Sequence, residues 1–306
     1  MPAMPMAESS PPIVVGARHT SNAINTVMLT GTPVFVQLLG GQPGPLAENA
    51  ALANELGAPG IDLNFGCPAK TVNRHDGGAT LLKEPSRLYS IITAVKAAVP
   101  AGVPVTAKVR LGFDHKDFHR EIAEAVESAG AEHIVVHART KTEMYTPPAH
   151  WEYIASMREG RSLRVLANGE IWSVEDYWRC TDKSGVFDVA LGRGLVRRPT
   201  LALEIRASVA ERLSGVRAQP VTFDRVSFLK EFFARTLEFR GGQYTVARMK
   251  QMLRYWRDSD SQTQMWFDAI KTMQTAEAMQ VYLEEVSTTW HVPSKFTASP
   301  TALTVS

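Results

Sequence analysis

From residue 33 to about residue 200 the chain alternates short, β-rich apolar runs with longer amphipathic stretches, and no other feature restricts its fold as much. The runs are Val34-Phe35-Val36-Gln37, Ile61-Asp62-Leu63-Asn64, Val103 to Val109, His133 to His137, Arg164 to Asn168 and Phe187 to Leu191. They are nearly continuous in apolar character, which predicts strands buried on both faces. Between them lie helical patterns such as Leu46 to Leu56 and Phe118 to Ala129, the latter closed by Gly130. A strand-to-strand spacing of roughly 25–45 residues is that of βα units in a parallel sheet.

Such a sheet is either a barrel or doubly wound, and the strand ends choose. Gln37, Asn64, Lys108, His137, Asn168 and Arg193 sit at or just past the ends of successive runs. In a barrel these polar groups converge on one site, whereas an open sheet spreads them along an edge. The expected fold is a TIM (β/α)8-type barrel, with an all-α C-terminal domain after it. Six strands are read where the barrel needs eight. Met1 to Pro12 is Met/Pro/Ser-rich without a period, and Ile13 to Thr30 offers at most one weak element. Two βα units take about 60 residues at this spacing, so the chain is expected to lack its first two units. After Pro199 a helix runs through Leu213, Ser214-Gly215 ends it and Pro220 follows. From Phe223 on the pattern is helical, including Val226 to Arg240, Thr245 to Asp258 and Thr263 to Met273. The expected layout is an atypical segment at 1–32, a barrel at 33–215, a helical domain at 216–292 and a loose tail at 293–306.

A formal net charge of +2 means that any surface for nucleic acid must be a local patch. Two cysteines, Cys67 and Cys180, cannot form a disulfide framework, which fits a reducing cytoplasm. No stretch reaches the ~20 apolar residues of a membrane span. A monomer in the cytoplasm, away from membranes, is expected.

The densest chemical signal runs from Asp62 to Asn73, Asp-Leu-Asn-Phe-Gly-Cys-Pro-Ala-Lys-Thr-Val-Asn, with Gly77-Gly78-Ala79-Thr80-Leu81-Leu82 following. A strand ends at Asn64, Gly66 permits a tight turn, and Cys67-Pro68 opens a loop on the catalytic face. A lone thiol there can donate a proton to a substrate carbon, or serve as a small loop hydrophobe. Cys180, inside a helical pattern, reads as packing. Lys108, in Ala107-Lys108-Val109-Arg110, puts a cation into an apolar strand, which is costly unless an anionic or electron-rich partner meets it. Asn168-Gly169-Glu170 and Gly192-Arg193-Gly194 close the last two strands, where barrels commonly keep a phosphate site. His115 and His119 have helical spacing but no third ligand, so no metal site is expected.

In the helical region, five basic residues (Arg240, Arg248, Lys250, Arg254, Arg257) and no acidic one lie between Arg240 and Arg257. Met249, Leu253 and Trp256 form the core stripe of a helix there. Arg248, Gln251 and Tyr255 fall on one flank, Lys250, Arg254 and Arg257 on the other. A cation, an amide and an aromatic side by side suit phosphate contact and stacking on splayed nucleotides. A solvated helix face is the bland alternative.

Together these residues resemble the tRNA-dihydrouridine synthase family, over roughly residues 33 to 275. The Asn-Phe-Gly-Cys-Pro-Ala-Lys-Thr-Val-Asn block, Gly-Gly-Ala-Thr-Leu-Leu-Lys and Asn-Gly-Glu-Ile-Trp are similar to its bacterial C-type subfamily. The resemblance implies FMN in the barrel mouth, NADPH (or NADH) as reductant, and uridine 16 of the tRNA D-loop as target. It implies that Gln37 and Lys108 hold the isoalloxazine ring, with His137 near it. Asn168, Gly169, Glu170, Gly192 and Arg193 then hold the ribityl phosphate. Cys67 is the implied proton donor, and Asn64 and Arg110 touch the flipped uridine and its neighbours. Arg248, Lys250, Gln251, Met252, Tyr255 and Lys271 are the implied tRNA contacts. The family's opening strand, with its Ala-Pro-Met turn, has no counterpart, since Met4-Pro5-Met6-Ala7 lies too close to Gln37.

Two other readings compete. A small-molecule flavin oxidoreductase, of the dihydropyrimidine or dihydroorotate dehydrogenase type, needs the same barrel but no basic helical appendage. A non-catalytic RNA-binding remnant would follow from the missing first units.

Overall fold

The computed structural model describes residues 32–217 and 219–289. The expectations of an atypical segment with two missing units at the start, and of a loose tail at 293–306, therefore lie outside the described residues. In chain order the elements are β1 Val36–Leu38, α1 Pro43–Glu55, β2 Ile61–Asn64, α2 Lys70–Arg74, α3 Pro85–Ala98, β3 Val105–Arg110, α4 His119–Ser128, β4 His133–His137, α5 Glu152–Arg158, β5 Arg164–Asn168, α6 Val174–Ser184 and β6 Val189–Ala190. Seven-residue or longer helices follow as α8 Leu201–Ser214, α9 Arg225–Arg240, α10 Gly242–Trp256, α11 Ser261–Ile270 and α12 Ala276–Thr289, after the short α7 Arg193–Arg197.

The strands form one parallel sheet in the order β1-β2-β3-β4-β5-β6. A doubly wound sheet reverses its order at a switch point. Here each strand pairs with the one before it, which is the single winding of a TIM-type barrel. The inner strands β2, β4 and β5 match their sequence runs residue for residue. The outer two are shorter than their runs: Phe187 is exposed, and β6 pairs only with β5 among the described residues. A strand hydrogen-bonded on one side loses half the ladder that would extend it.

The strands are buried on both faces in the middle of the sheet, but they are not apolar on both. Ile61, Leu63, Val105, Ala107, Val109, Ile134, Val136, Val165 and Ala167 face the helix layer, at 5% exposure or less. Leu88, Ile91, Ile92 and Val95 of α3, and Ile122, Ala123 and Val126 of α4, complete that layer. Fully burying one such side chain contributes about 1.5–3 kcal/mol. The opposite face is polar, and register arranges it in tiers. Arg110 stands beside His137, and His137 beside Asn168. Below them Asn64 stands beside Lys108, and below these Gln37 beside Asp62 and Asp62 beside Thr106. Because a strand's side chains alternate between faces, Thr106, Lys108 and Arg110 all point the same way.

By compactness the chain divides into two units. One holds the described residues up to Glu170 with Trp178–Ala190, the other Ile171–Tyr177 with the described residues from Leu191. Besides Ile171–Tyr177, the second unit thus includes α7 and α8, which precede the all-helical sequence pattern near residue 216. Its core gathers Leu229, Phe233, Val246, Met249, Leu253, Trp256, Trp266 and Ile270. The stripe Met249, Leu253, Trp256 is buried to 1% exposure or less, as the 3.6-residue period requires. The indole of Trp256 donates to the Val196 carbonyl at 2.7 Å, which satisfies its one polar atom. Asp224 and Asp260 cap α9 and α11 by accepting from first-turn amides. No helix among the described residues is long and apolar enough to cross a membrane.

Candidate active site

The polar face and the loops at the strand C-termini build one site on the first unit. Its centre is the loop after β2. Main-chain bonds hold Cys67: its carbonyl accepts from the Ala79 amide at 3.1 Å and from Asn73 Nδ2 at 3.0 Å. The same Nδ2 reaches the Gly77 carbonyl at 3.0 Å. Gly78 has φ +60°, and a Cβ there would stand 2.8 Å from the Cys67 carbonyl oxygen, so only glycine lets the chain fold back this closely. The Cys67 side chain is half-buried, and no hydrogen bond ties its sulfur to the described protein. Cys180, by contrast, is fully buried, and burial pushes its thiol up to about 12, in keeping with packing.

Lys108 rises from β3 into this polar face. Burial is the main cause that pulls its ammonium down to about 8, with the Arg110 guanidinium adding to the effect. Asp62, and a thiolate at Cys67, act the other way. No acceptor among the described residues takes a hydrogen bond from this ammonium. Asp62 is 3% exposed, and burial raises its carboxyl above the usual range against bonds from Gln37 and Thr106.

Arg110, read as an RNA contact from the family resemblance, lies buried behind the loop after β2. It is 2% exposed, and its guanidinium is taken up by protein: Nε donates to the Gly66 carbonyl at 2.9 Å, Nη1 to the carbonyls of Thr140 at 2.9 Å and Met144 at 2.8 Å. The ring of Tyr145 lies 5.4 Å from the guanidinium carbon. Arg110 braces the Cys67 loop against the loop after β4, and its contacts in this structure are not solvent-facing.

At the ends of β4 and β5, His137 is 6% exposed and Asn168 Nδ2 donates to the Ala190 carbonyl at 2.6 Å. Gly169 has φ +112°, and a Cβ on it would come within 2.9 Å of the His137 ring. Glu170 also takes a left-handed conformation, φ +57°, which costs a non-glycine residue roughly 1–3 kcal/mol. Its carboxylate is held by Arg139, 1% exposed, at 2.9 Å. Sequence reading gave no role to Arg139, Asp62, Thr106 and Asn73, although Asp62 and Asn73 delimit its densest motif. Asp62 and Thr106 carried a further signal, because buried polar residues at alternate strand positions mark one face.

On the second unit, Gly192 caps α7 and the exposed Arg193 guanidinium lies 5.3 Å from the Trp172 ring. Arg248 is exposed, its guanidinium 4.8 Å from the ring of exposed Tyr244 and bonded to Gln251 at 2.5 Å. Lys250 is half-buried, and Lys271 is exposed and pairs with Asp268 at 2.7 Å. Met252 and Tyr255 are half-buried against the helical core and show only part of their surface.

A parallel barrel with a thiol, an ammonium and a glycine-lined turn at its strand C-termini is a barrel enzyme with its active centre on that face. The chain matches the dihydrouridine synthase (Dus) family over residues 9–289, a wider span than its motifs mark. A tRNA-dihydrouridine(16) synthase of Pseudomonas putida is 49% identical over 254 residues, 83% of this chain and 75% of that protein. Proteins of the same name from Pseudomonas syringae and Haemophilus influenzae are 46% and 44% identical, covering 83% and 84% of this chain and 79% and 80% of theirs. This protein belongs to the dihydrouridine synthase family, whose members are oxidoreductases.

Proposed function

We propose that the protein reduces uridine to 5,6-dihydrouridine in tRNA, at position 16 of the D-loop, with FMN as bound cofactor and NADPH as reductant. The observation that carries this reading is the Lys108 ammonium beside the Cys67 loop, which meets no acceptor among the described residues, in a barrel of this family. A cation without an acceptor on a polar inner face fits an electron-rich ring, and the cramped Gly169 turn fits close approach of a ligand to backbone. Gln37 and Lys108 would hold the isoalloxazine, His137 would stand near it, and Asn168, Gly169, Glu170, Gly192 and Arg193 would hold the phosphate. When bound, the flavin, reduced by NADPH, supplies a hydride for C6 of the uracil. Cys67 holds the proton that goes to C5, so the two hydrogens add across the double bond. A base inside folded tRNA cannot reach a barrel mouth, so the nucleotide is extruded, and Asn64 would meet its edge. We take the protein to act as a cytoplasmic monomer.

Purified protein should carry FMN, and Lys108→Ala should weaken it by at least about tenfold, since a charge-assisted bond contributes roughly 1.5–3 kcal/mol. The sign with pH follows from the depressed ammonium. Above about pH 8 the flavin-free protein increasingly holds Lys108 neutral, so FMN affinity should fall there and the dependence should vanish in Lys108→Ala. Equal FMN affinity of mutant and parent across this range would remove Lys108 from the cofactor site. Conversion of unmodified tRNA, read by nucleoside analysis, tests the reaction, and tRNA binding without flavin would favour the RNA-binding remnant.

The basic helix α10 carries a separate expectation. Arg248→Ala with Lys250→Ala should weaken tRNA binding and flatten its log–log salt slope by roughly 0.7–0.9 for each lost phosphate contact. NADPH oxidation by the holoenzyme without tRNA should be unchanged. A slope identical to the parent's would leave both residues as a solvated face.

A further inference from the structure

Two neutral amides on the polar face lie between groups that can bond in only one sense. Thr106 Oγ1 donates to Asp62 Oδ1 at 2.7 Å, and Gln37 Nε2 donates to Asp62 Oδ2 at 2.5 Å. Asn64 Nδ2 donates to Gln37 Oε1 at 3.0 Å, and the Gly66 amide donates to Asn64 Oδ1 at 3.0 Å. The two ends of an amide are nearly equal in shape, so only the neighbours' chemistry decides which end points where. A carboxylate only accepts, and a backbone N–H only donates. Between the Asp62 carboxylate and the Gly66 N–H, one orientation of Gln37 and one of Asn64 satisfies every group.

We propose that Asp62 is a positioning residue whose carboxylate sets the direction of this chain, orienting the Gln37 amide toward the flavin and pinning the backbone that leads into Cys67. The inference rests on the reading that Gln37 meets the flavin. Its effect does not depend on the charge of Asp62 as such. An asparagine at 62 can still accept from Gln37 through Oδ1, because the Thr106 hydroxyl can turn to accept from the new amide and donate to the Ile61 carbonyl, 3.5 Å away. A leucine at 62 keeps the volume and accepts nothing, so Gln37 Nε2 loses its acceptor and the chain through Gln37 and Asn64 is held from the Gly66 end alone.

Three variants and two readouts test this. FMN dissociation constants of flavin-stripped protein should rise by about tenfold or more in Gln37→Ala and Asp62→Leu, the scale of a lost hydrogen bond, and stay within about threefold in Asp62→Asn. Amide hydrogen exchange at Gly66, measured on the flavin-free proteins, should speed up at least about tenfold in Asp62→Leu and stay near the parent's in Asp62→Asn. Asp62→Asn as damaging as Asp62→Leu, or unchanged Gly66 exchange in Asp62→Leu, overturns the inference. FMN affinity untouched in Gln37→Ala sinks the flavin role of Gln37 instead, while Gly66 exchange still reports on Asp62. Should Asp62→Leu not fold, a pair decides. Gln37→Glu sets two carboxylates face to face and should weaken FMN. Adding Asp62→Asn gives that glutamate a donor and should recover at least about threefold, a coupling only direct partners show; no recovery overturns the inference.

Discussion

Replacing Cys67 with alanine should leave FMN and tRNA binding intact and lower dihydrouridine formation by about 10²–10⁴-fold, the usual contribution of a general acid. The binding half of this expectation comes from how the loop is held. Asn73 and Ala79 grip the Cys67 carbonyl, Arg110 grips that of Gly66, and no hydrogen bond from the described residues to the sulfur holds the loop. Losing the sulfur therefore removes a proton donor and little structure. Single-turnover oxidation of the reduced holoenzyme by tRNA reads the affected step directly. If mutant and parent turn over at equal rates, another group protonates C5.

Arg110→Met should cost the flavin-free protein about 3 kcal/mol in a urea titration, because two buried carbonyls and a third, part-buried bond lose their donor together. Those carbonyls belong to Gly66, Thr140 and Met144, so the loop after β2 should loosen from the loop after β4. Cys67 should then alkylate faster than in the parent. Arg110→Lys should recover only part of the loss, since a single ammonium cannot replace a planar fork bonded to separate segments. Full stability in Arg110→Met, with only tRNA affinity reduced, would instead support the RNA contact that the family resemblance implies.

Local patterns carried much of the fold. β2, β4 and β5 could be read to the residue, because β-rich runs set between helical patterns leave few alternatives. The stripe Met249, Leu253, Trp256 was equally legible, since a helix period needs no partner to be seen. The Cys67 loop was visible for the same reason: its folding back depends on Asn73 and Gly78, a few residues away. The outer strands were overread, because the length of a strand depends on neighbours on both sides. The polar inner face was in plain sight as Thr106, Lys108, Arg110 and as His133, His137. Counting each run simply as apolar hid it.

From the sequence alone came the order of βα units, the switch to helices, and the thiol and lysine placed where barrel chemistry occurs. Only the tertiary structure decided which polar groups meet. Gln37 and Asp62 are 25 residues apart, Arg110 and Thr140 30, Arg110 and Met144 34. A strand's own pattern says which face a side chain takes, but sheet register and loop path say what stands opposite it. Thus Arg110 could be read as a cation at a barrel mouth, yet its use as a buried brace rests on carbonyls that two separate loops deliver.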